Sequence, residues 1–399
     1  MSQLLKETIP DIPIIWGGPQ VTIDPKHSAD LTCVDLVITH QGEAMLRSVI
    51  EEISRGAFKR PATTEMKIMR GRMPDSLDSL AWPARHLVDL SKYGRKSTVM
   101  DIWPTDTISS SRGCPFACTF CSSKIVWERR YHKRSPKSVV DEMERLIQDY
   151  GSRGFYFRED NFTVDKAHVR GICDEILSRK MKIRWECESR VDTLSKEDLV
   201  LMKRAGCSGL WCGVESGSQR TLDAAKKGYK PEQVLKFYSW CRELRIPAGA
   251  SFMLGFPGET PGDLTATYEL ARKLPCAWTR FGAYIGFPGS ELYERTLKEG
   301  LYDARWDDIL IARNEYFSAS QLHALEAAMN GEAKPAPLTL ARKMKIALTR
   351  PERVFEAAAN KISAWRSNSG RAGFSRAQRG ETPENFYDLL KRFTGGSRS

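Results

Sequence analysis

Between about residues 107 and 290, short runs of apolar and β-branched residues alternate with longer stretches whose apolar positions recur every three or four residues. The short runs predict strands at Thr107–Ser111, Gly154–Asp160, Arg184–Arg190, Gly209–Glu215, Ala248–Leu254 and Arg280–Gly286. The stretches between them predict helices near 138–150, 166–180, 196–205, 231–244 and 261–273. Several helix starts are marked. Ser195 followed by Asp198 forms a near capping box, and Pro231 and Pro261 stand at first-turn positions. Strand–helix repetition of this kind implies parallel strands covered by helices. Residues 106–305 therefore predict an α/β fold, a partial (β/α)6 TIM-like barrel open on one side, with its chemistry at the C-terminal strand ends.

Smaller pieces flank this core. Residues 1–58 read as a small α/β unit, half of a Rossmann-like domain: a strand from Pro13 to Trp16 runs into Gly17-Gly18-Pro19, and a second strand spans Val34–Thr39. Gln41-Gly42-Glu43 and a helix from about Ala44 to Arg55 follow. Residues 59–105, richer in proline, methionine and charge, lack sustained periodicity and predict a connector. Residues 306–399 predict a helical, basic extension, in which 338–366 puts Phe355, Ala358, Ile362 and Trp365 on one face. From Ser367 onward Gly, Ser and Arg dominate and predict an irregular tail.

Composition narrows the setting. No stretch approaches the roughly 18 apolar residues that a membrane span needs, and the N-terminus lacks an apolar core of signal-peptide length. Ten cysteines, mostly solitary, make a poor disulfide framework for a chain of 399 residues. A reducing, cytoplasmic setting is expected. Of the net charge of +11, residues 331–399 supply +8, from fourteen Lys/Arg against six Asp/Glu. Such a tail is either a solvated terminus or an attractor of nucleic acid, anionic lipid or a phosphorylated substrate. It has few aromatics among its charges, which argues against a nucleic-acid module. The amphipathic 351–366 stretch allows peripheral membrane contact.

The segment Ser111-Arg112-Gly113-Cys114-Pro115-Phe116-Ala117-Cys118-Thr119-Phe120-Cys121 directly follows the first barrel strand, so three thiols share one loop at the catalytic rim. Thiolates favour soft iron, and three of them leave one site of a four-iron cluster without a protein ligand. An open metal site marks catalysis rather than structure. Zinc is the bland alternative; it needs a fourth ligand, and His132, eleven residues past Cys121, is the nearest.

Cys-x3-Cys-x2-Cys, with aromatic Phe120 before the last cysteine, resembles the radical S-adenosylmethionine superfamily over roughly residues 105–300. The resemblance implies that Cys114, Cys118 and Cys121 hold a 4Fe-4S cluster whose open iron binds the amino and carboxylate groups of S-adenosylmethionine. An external donor of flavodoxin or ferredoxin type would supply the electron that releases a 5′-deoxyadenosyl radical. Phe120 would lie near the adenine. Polar stripes along Tyr156, Arg158 and Asp160, and along the even positions from Arg184 to Arg190, belong in a barrel lumen, either as an ion-pair ladder or as a site. The strand-end residues Asp160, Arg190 and Glu215 are the stronger candidates. By the resemblance, Arg190 pairs with the S-adenosylmethionine carboxylate, Asp160 or Glu159 accepts from its ammonium, and Glu215 meets a ribose hydroxyl or acts on substrate. Ser189 falls in one of the family-like strand ends, and Gly255 opens the cofactor-contacting turn Gly255-Phe256-Pro257-Gly258-Glu259-Thr260. Cys173, Cys187, Cys207, Cys212 and Cys241 are expected in the core.

The Ile14–Thr22 segment and Gln41-Gly42-Glu43 resemble the second half of the cobalamin-binding domain found in one branch of that superfamily, many of whose members are methyltransferases. An Asp-x-His-x-x-Gly motif, which supplies the axial histidine in many cobalamin proteins, does not occur around His27 or His40. That puts cobalamin binding in question and fits a truncated cobalamin-like segment. The leading expectation is methylation or rearrangement of a small-molecule or lipid-linked metabolite. A cobalamin-free dehydrogenation or decarboxylation, or RNA modification, is the alternative.

Overall fold

The computed structural model describes residues 1–95, 97, 102–306, 309–332 and 384–395. Its centre is a six-stranded parallel sheet of β4 (Thr105–Ile108), β5 (Gly154–Phe157), β6 (Arg184–Ser189), β7 (Cys207–Glu215), β8 (Ala248–Leu254) and β9 (Trp278–Ala283). Spatial order follows chain order, β9-β8-β7-β6-β5-β4, as successive strand–helix units of one hand require. Helices Pro136–Tyr150, Lys166–Ser178, Lys196–Arg204, Pro231–Glu243 and Pro261–Lys273 connect the strands. Ser195 and Asp198 form a complete capping box, Thr260 and Asp263 another, and Pro231 and Pro261 occupy first-turn positions.

Alternation along the strands decides which side chains meet the helices. Phe155, Phe157, Trp185, Cys187, Leu210, Cys212, Val214 and Phe252 join Val139, Ile172, Leu199, Val234 and Leu264 in one core. The edge-on contact of Phe157 with Trp185, at 5.4 Å, belongs to it. Burying each of these large side chains stabilises the fold by about 1.5–3 kcal/mol. The opposite set, Tyr156, Glu186, Glu188 and Trp211, lines the concave face, with Tyr156 beside Glu186 and Glu188 beside Trp211 in register. Mid-strand, the ion-pair ladder describes these residues: the Tyr156 hydroxyl donates to Glu188, and Arg158 lies 3.9 Å from the same carboxylate.

The first and second barrel strands end earlier than the hydrophobic pattern predicts. Ser111–Arg112 instead pairs antiparallel with His132–Lys133. The N-terminal unit is larger than expected. β1 (Ile15–Gly17) and β2 (Leu36–Thr39) are joined in parallel by β3 (Ile68–Arg70), a strand from the supposed connector. Strands continue into the stretch predicted as a helical extension from residue 306: Tyr302–Trp306 and Ile309–Ala312 form an antiparallel pair that also takes in Ile285–Gly286. Helix Ala319–Glu332 then packs on β9. Helix Phe386–Gly395 buries Phe386, Leu389 and Leu390 within the stretch predicted to be irregular. The helix expected at 338–366 lies outside the described residues. No helix among the described residues is long and apolar enough to cross a membrane.

Candidate active site

The cysteine loop is built by its surroundings. At its base, the two-rung ladder of Ser111–Arg112 with His132–Lys133 closes the segment between. Glu159, just past β5, accepts from the Ser110 N–H and the Ser111 hydroxyl and pins that ladder to the sheet. Gly113 has φ +91°, and a Cβ there would stand 2.1 Å from the Arg130 carbonyl oxygen, so only glycine fits the turn. Thr119 staples the far side. Its N–H and hydroxyl donate to the carbonyls of Ala225 and Ala224 at 3.1 and 3.2 Å, and its own carbonyl accepts from the Leu292 N–H at 2.8 Å.

Within this frame Cys114, Cys118 and Cys121 are partly exposed, whereas Cys33, Cys173, Cys187, Cys207, Cys212 and Cys241 are buried. Cys121 donates its N–H to the Cys118 carbonyl at 3.2 Å, and its Sγ accepts from the Ser123 N–H at 3.4 Å. Burial pushes the Cys121 thiol up to about 11 and raises that of Cys114. Zinc fits poorly. His132 sits across the ladder from Arg112 and lines a separate cavity with His40 and Arg70. Among the described residues no three His, Cys, Asp or Glu side chains converge on a single-ion site. A cluster sets a separate metal atom against each thiolate, so its donors share a cradle rather than one point.

Beside the loop opens a cavity of about 910 Å³. Its walls include Cys121 and Asp160 from the barrel rim, Trp82 and Arg85 from the connector, and Pro19 and Glu43 from the N-terminal unit. Arg112 ties those parts together through Gln41 Oε1 at 2.6 Å and Glu43 at 2.6 Å. Asp160 opens into this space, and its desolvated surroundings hold its carboxyl above the usual range. Both acidic candidates at this strand end line the cavity, and Glu159 is also bonded to the loop base through Ser110 and Ser111.

Arg190 is buried, at 6 % exposure, and its guanidinium is nearly spent on the protein. Nε and Nη2 hold Asp192 at 3.0 and 2.9 Å, Nη2 also donates to the Lys227 carbonyl, and Nη1 donates to Cys118 Sγ at 3.7 Å. The fork that sequence reasoning reserves for a cofactor carboxylate is taken by Asp192. Glu215, at φ +66°, accepts from Lys227 Nζ at 3.1 Å in an ion pair whose members are 8 % and 5 % exposed. Lys227 also lies 5.7 Å from the Phe120 ring, and Phe120 packs on Phe256 at 5.8 Å. Ser189 is buried; it contacts the Thr163 hydroxyl at 3.0 Å and donates to the Arg190 carbonyl at 3.2 Å.

Gly255, at φ +85°, would drive a Cβ within 2.4 Å of Leu322. Its N–H donates at 2.6 Å to Glu259, a carboxyl 1 % exposed. Asn314 braces the same turn through the Glu259 carbonyl at 3.0 Å. Thr119, Asp192, Lys227 and Glu259 are further residues of the candidate site that strand ends alone do not reveal. Of these, only Lys227 lies outside the motif segments that stand out in the sequence.

Burial pushes Glu259 up to about 8 from its ordinary 4.5. The folded state therefore holds a proton that the unfolded chain releases. The stability this adds is full below about pH 4.5 and is lost as pH rises through about 8. Glu259→Gln removes this dependence. Between pH 5 and 8 the wild type is expected to lose up to about 1.4 kcal/mol per pH unit more than the variant, read from thermal melts of both across that range.

The fold is a six-stranded α/β barrel with three thiols on the loop after its first strand. Residues 108–271 match the model of the Radical SAM superfamily, so the barrel carries a radical SAM domain. The chain is similar to an uncharacterized methyltransferase of Pyrococcus horikoshii, with 28 % identity over 310 residues, 75 % of this chain and 66 % of the relative. It is also similar to the anaerobic magnesium-protoporphyrin IX monomethyl ester cyclase of Rubrivivax gelatinosus, at 25 % identity over 73 % of this chain and 54 % of that one. The chain thus spans between half and two thirds of the length of these curated relatives. Among solved structures, the radical S-adenosylmethionine methyltransferase TsrM of Kitasatospora setae, with cobalamin and a [4Fe-4S] cluster bound, superposes with a TM-score of 0.64. The match covers 80 % of this chain and 68 % of that one at 21 % identity, and it carries the fold alone.

Proposed function

We propose that the chain uses S-adenosylmethionine and a 4Fe-4S cluster to transform a small molecule through a carbon-centred radical, with methyl transfer as the leading reaction. The observation that supports this most is the set of three partly exposed thiols at the barrel rim, of which Cys121 opens on a cavity of about 910 Å³. When bound, a cluster supplies one electron to the sulfonium, and its open iron supplies a binding site.

The chain's own residues do the rest. Cys114, Cys118 and Cys121 hold the cluster. Asp160, facing the cavity beside Cys121, accepts from the ammonium of S-adenosylmethionine. Phe120 and the Gly255 turn form the apolar wall for its adenine, braced by Phe256 and Glu259. Glu215 offers its carboxylate toward ribose or substrate, with Lys227 paired to it at 3.1 Å. Ser189 supports Arg190 from behind. Trp82, Pro19 and Glu43 close the cavity's outer side and limit water around the reacting atoms.

Kinship with a methyltransferase and with a cyclase leaves the second half-reaction to experiment. The anaerobically reconstituted, reduced protein is expected to convert S-adenosylmethionine to 5′-deoxyadenosine. Added cobalamin and production of S-adenosylhomocysteine would assign methyl transfer; intact S-adenosylmethionine under all conditions would refute the proposal. The parallel strands β1–β3 and the Gly17-Gly18 turn, where Gly18 has φ +98° and open space around it, favour testing for a bound corrinoid spectrum.

A further inference from the structure

We infer that Arg190 is a positioning residue of the metal site, a buried cation that sets how readily a cluster on Cys118 accepts an electron. The inference rests on the cluster reading above. The guanidinium stacks on Phe116, inside the cysteine loop, at 3.8 Å and faces Tyr229 at 5.3 Å. With Nε and Nη2 committed to Asp192 and the Lys227 carbonyl, Nη1 is directed at Cys118 Sγ. The side chain is thus locked on its anionic, carbonyl and aromatic sides, so it cannot swing toward another partner without breaking several contacts.

A fixed cation that donates to a ligand sulfur stabilises the state carrying the extra electron. Its field is strong here because the guanidinium itself is buried. Asp192, on the far side of the guanidinium, offsets part of that charge. The two residues therefore push the potential in opposite directions. Removing the arginine makes reduction harder, and neutralising the aspartate makes it easier. A purely structural brace moves iron content or stability and leaves the potential of intact clusters alone. A ligand for the cofactor carboxylate matters only when S-adenosylmethionine is present.

The test is a redox titration followed by electron paramagnetic resonance, on reconstituted chains of equal iron content and without S-adenosylmethionine. Arg190→Gln is expected to lower the one-electron reduction equilibrium by about tenfold, ~59 mV more negative. Asp192→Asn is expected to shift it the other way, and Arg190→Lys to restore part of the loss. Potentials equal to wild type in Arg190→Gln overturn the inference. If that variant holds no iron, Asp192→Asn decides alone: a rise supports the inference and no change overturns it. A wild-type chain that takes up no iron defeats the cluster reading itself, and this inference with it.

Discussion

Cys118→Ala is expected to lose the cluster. Two remaining thiolates leave two of four irons without protein ligands, and Arg190 Nη1 loses the sulfur it faces. Losing a mere supporting partner at a metal site costs about 10–100-fold in affinity, and losing a ligand is expected to exceed the top of that range. Iron and sulfide content after anaerobic reconstitution, with the brown absorbance, reads the effect. Production of 5′-deoxyadenosine should fall with it. Cys241→Ala is the control, because Cys241 is buried among core residues. That variant should keep its iron and lose only packing. Equal iron in both variants would contradict the assignment.

Lys227→Met carries the largest expected effect on stability. Lys227 and Glu215 form a buried pair, and removing the cation strands a carboxylate with little access to water. Breaking such a pair by deleting one partner costs about 3–5 kcal/mol. For a chain of this length that is roughly a 5 °C fall in Tm. The Lys227 carbonyl also accepts from Arg190, so the substitution is felt beneath the cysteine loop. Adding Glu215→Gln should recover most of the loss, since no charge is then left unpaired. Thermal melts of the single and double variants test this, and an unchanged Tm for Lys227→Met would mean the pair contributes nothing.

Much of the barrel is legible in the sequence because two periods alternate without ambiguity. Trp185 and Cys187 face the helices and Glu186 and Glu188 face away, as strand alternation requires. Ser195 with Asp198, and Pro231 and Pro261, mark helix starts that the structure keeps. The cysteine loop is legible for a different reason: three thiols in eight residues have few other uses in a chain of this type. What escapes is short or long-range. β3 has three residues, too few for a period, and forms only because β2 offers a paired edge. Helix Phe386–Gly395 does carry a helical repeat at Phe386, Leu389, Leu390 and Phe393, but Gly, Ser and Arg in the preceding stretch outweigh it. Lys227 looks like one more surface lysine beside Lys226. Its burial follows from a fold that brings it against Glu215, twelve residues away, and beneath Phe120. Arg190 stands beside the cysteine loop, yet Asp192, two positions on, takes the guanidinium fork expected to meet a cofactor carboxylate.

The vacant coordination position is the claim on which the rest depends. Electron–nuclear double resonance on the reduced protein, with S-adenosylmethionine labelled with nitrogen-15 at its amino group, reads it directly. A hyperfine coupling from that nitrogen to the cluster is expected, and it should vanish in Cys118→Ala. A reduced cluster in the wild type that shows no such coupling, with S-adenosylmethionine at saturating concentration, would contradict the account.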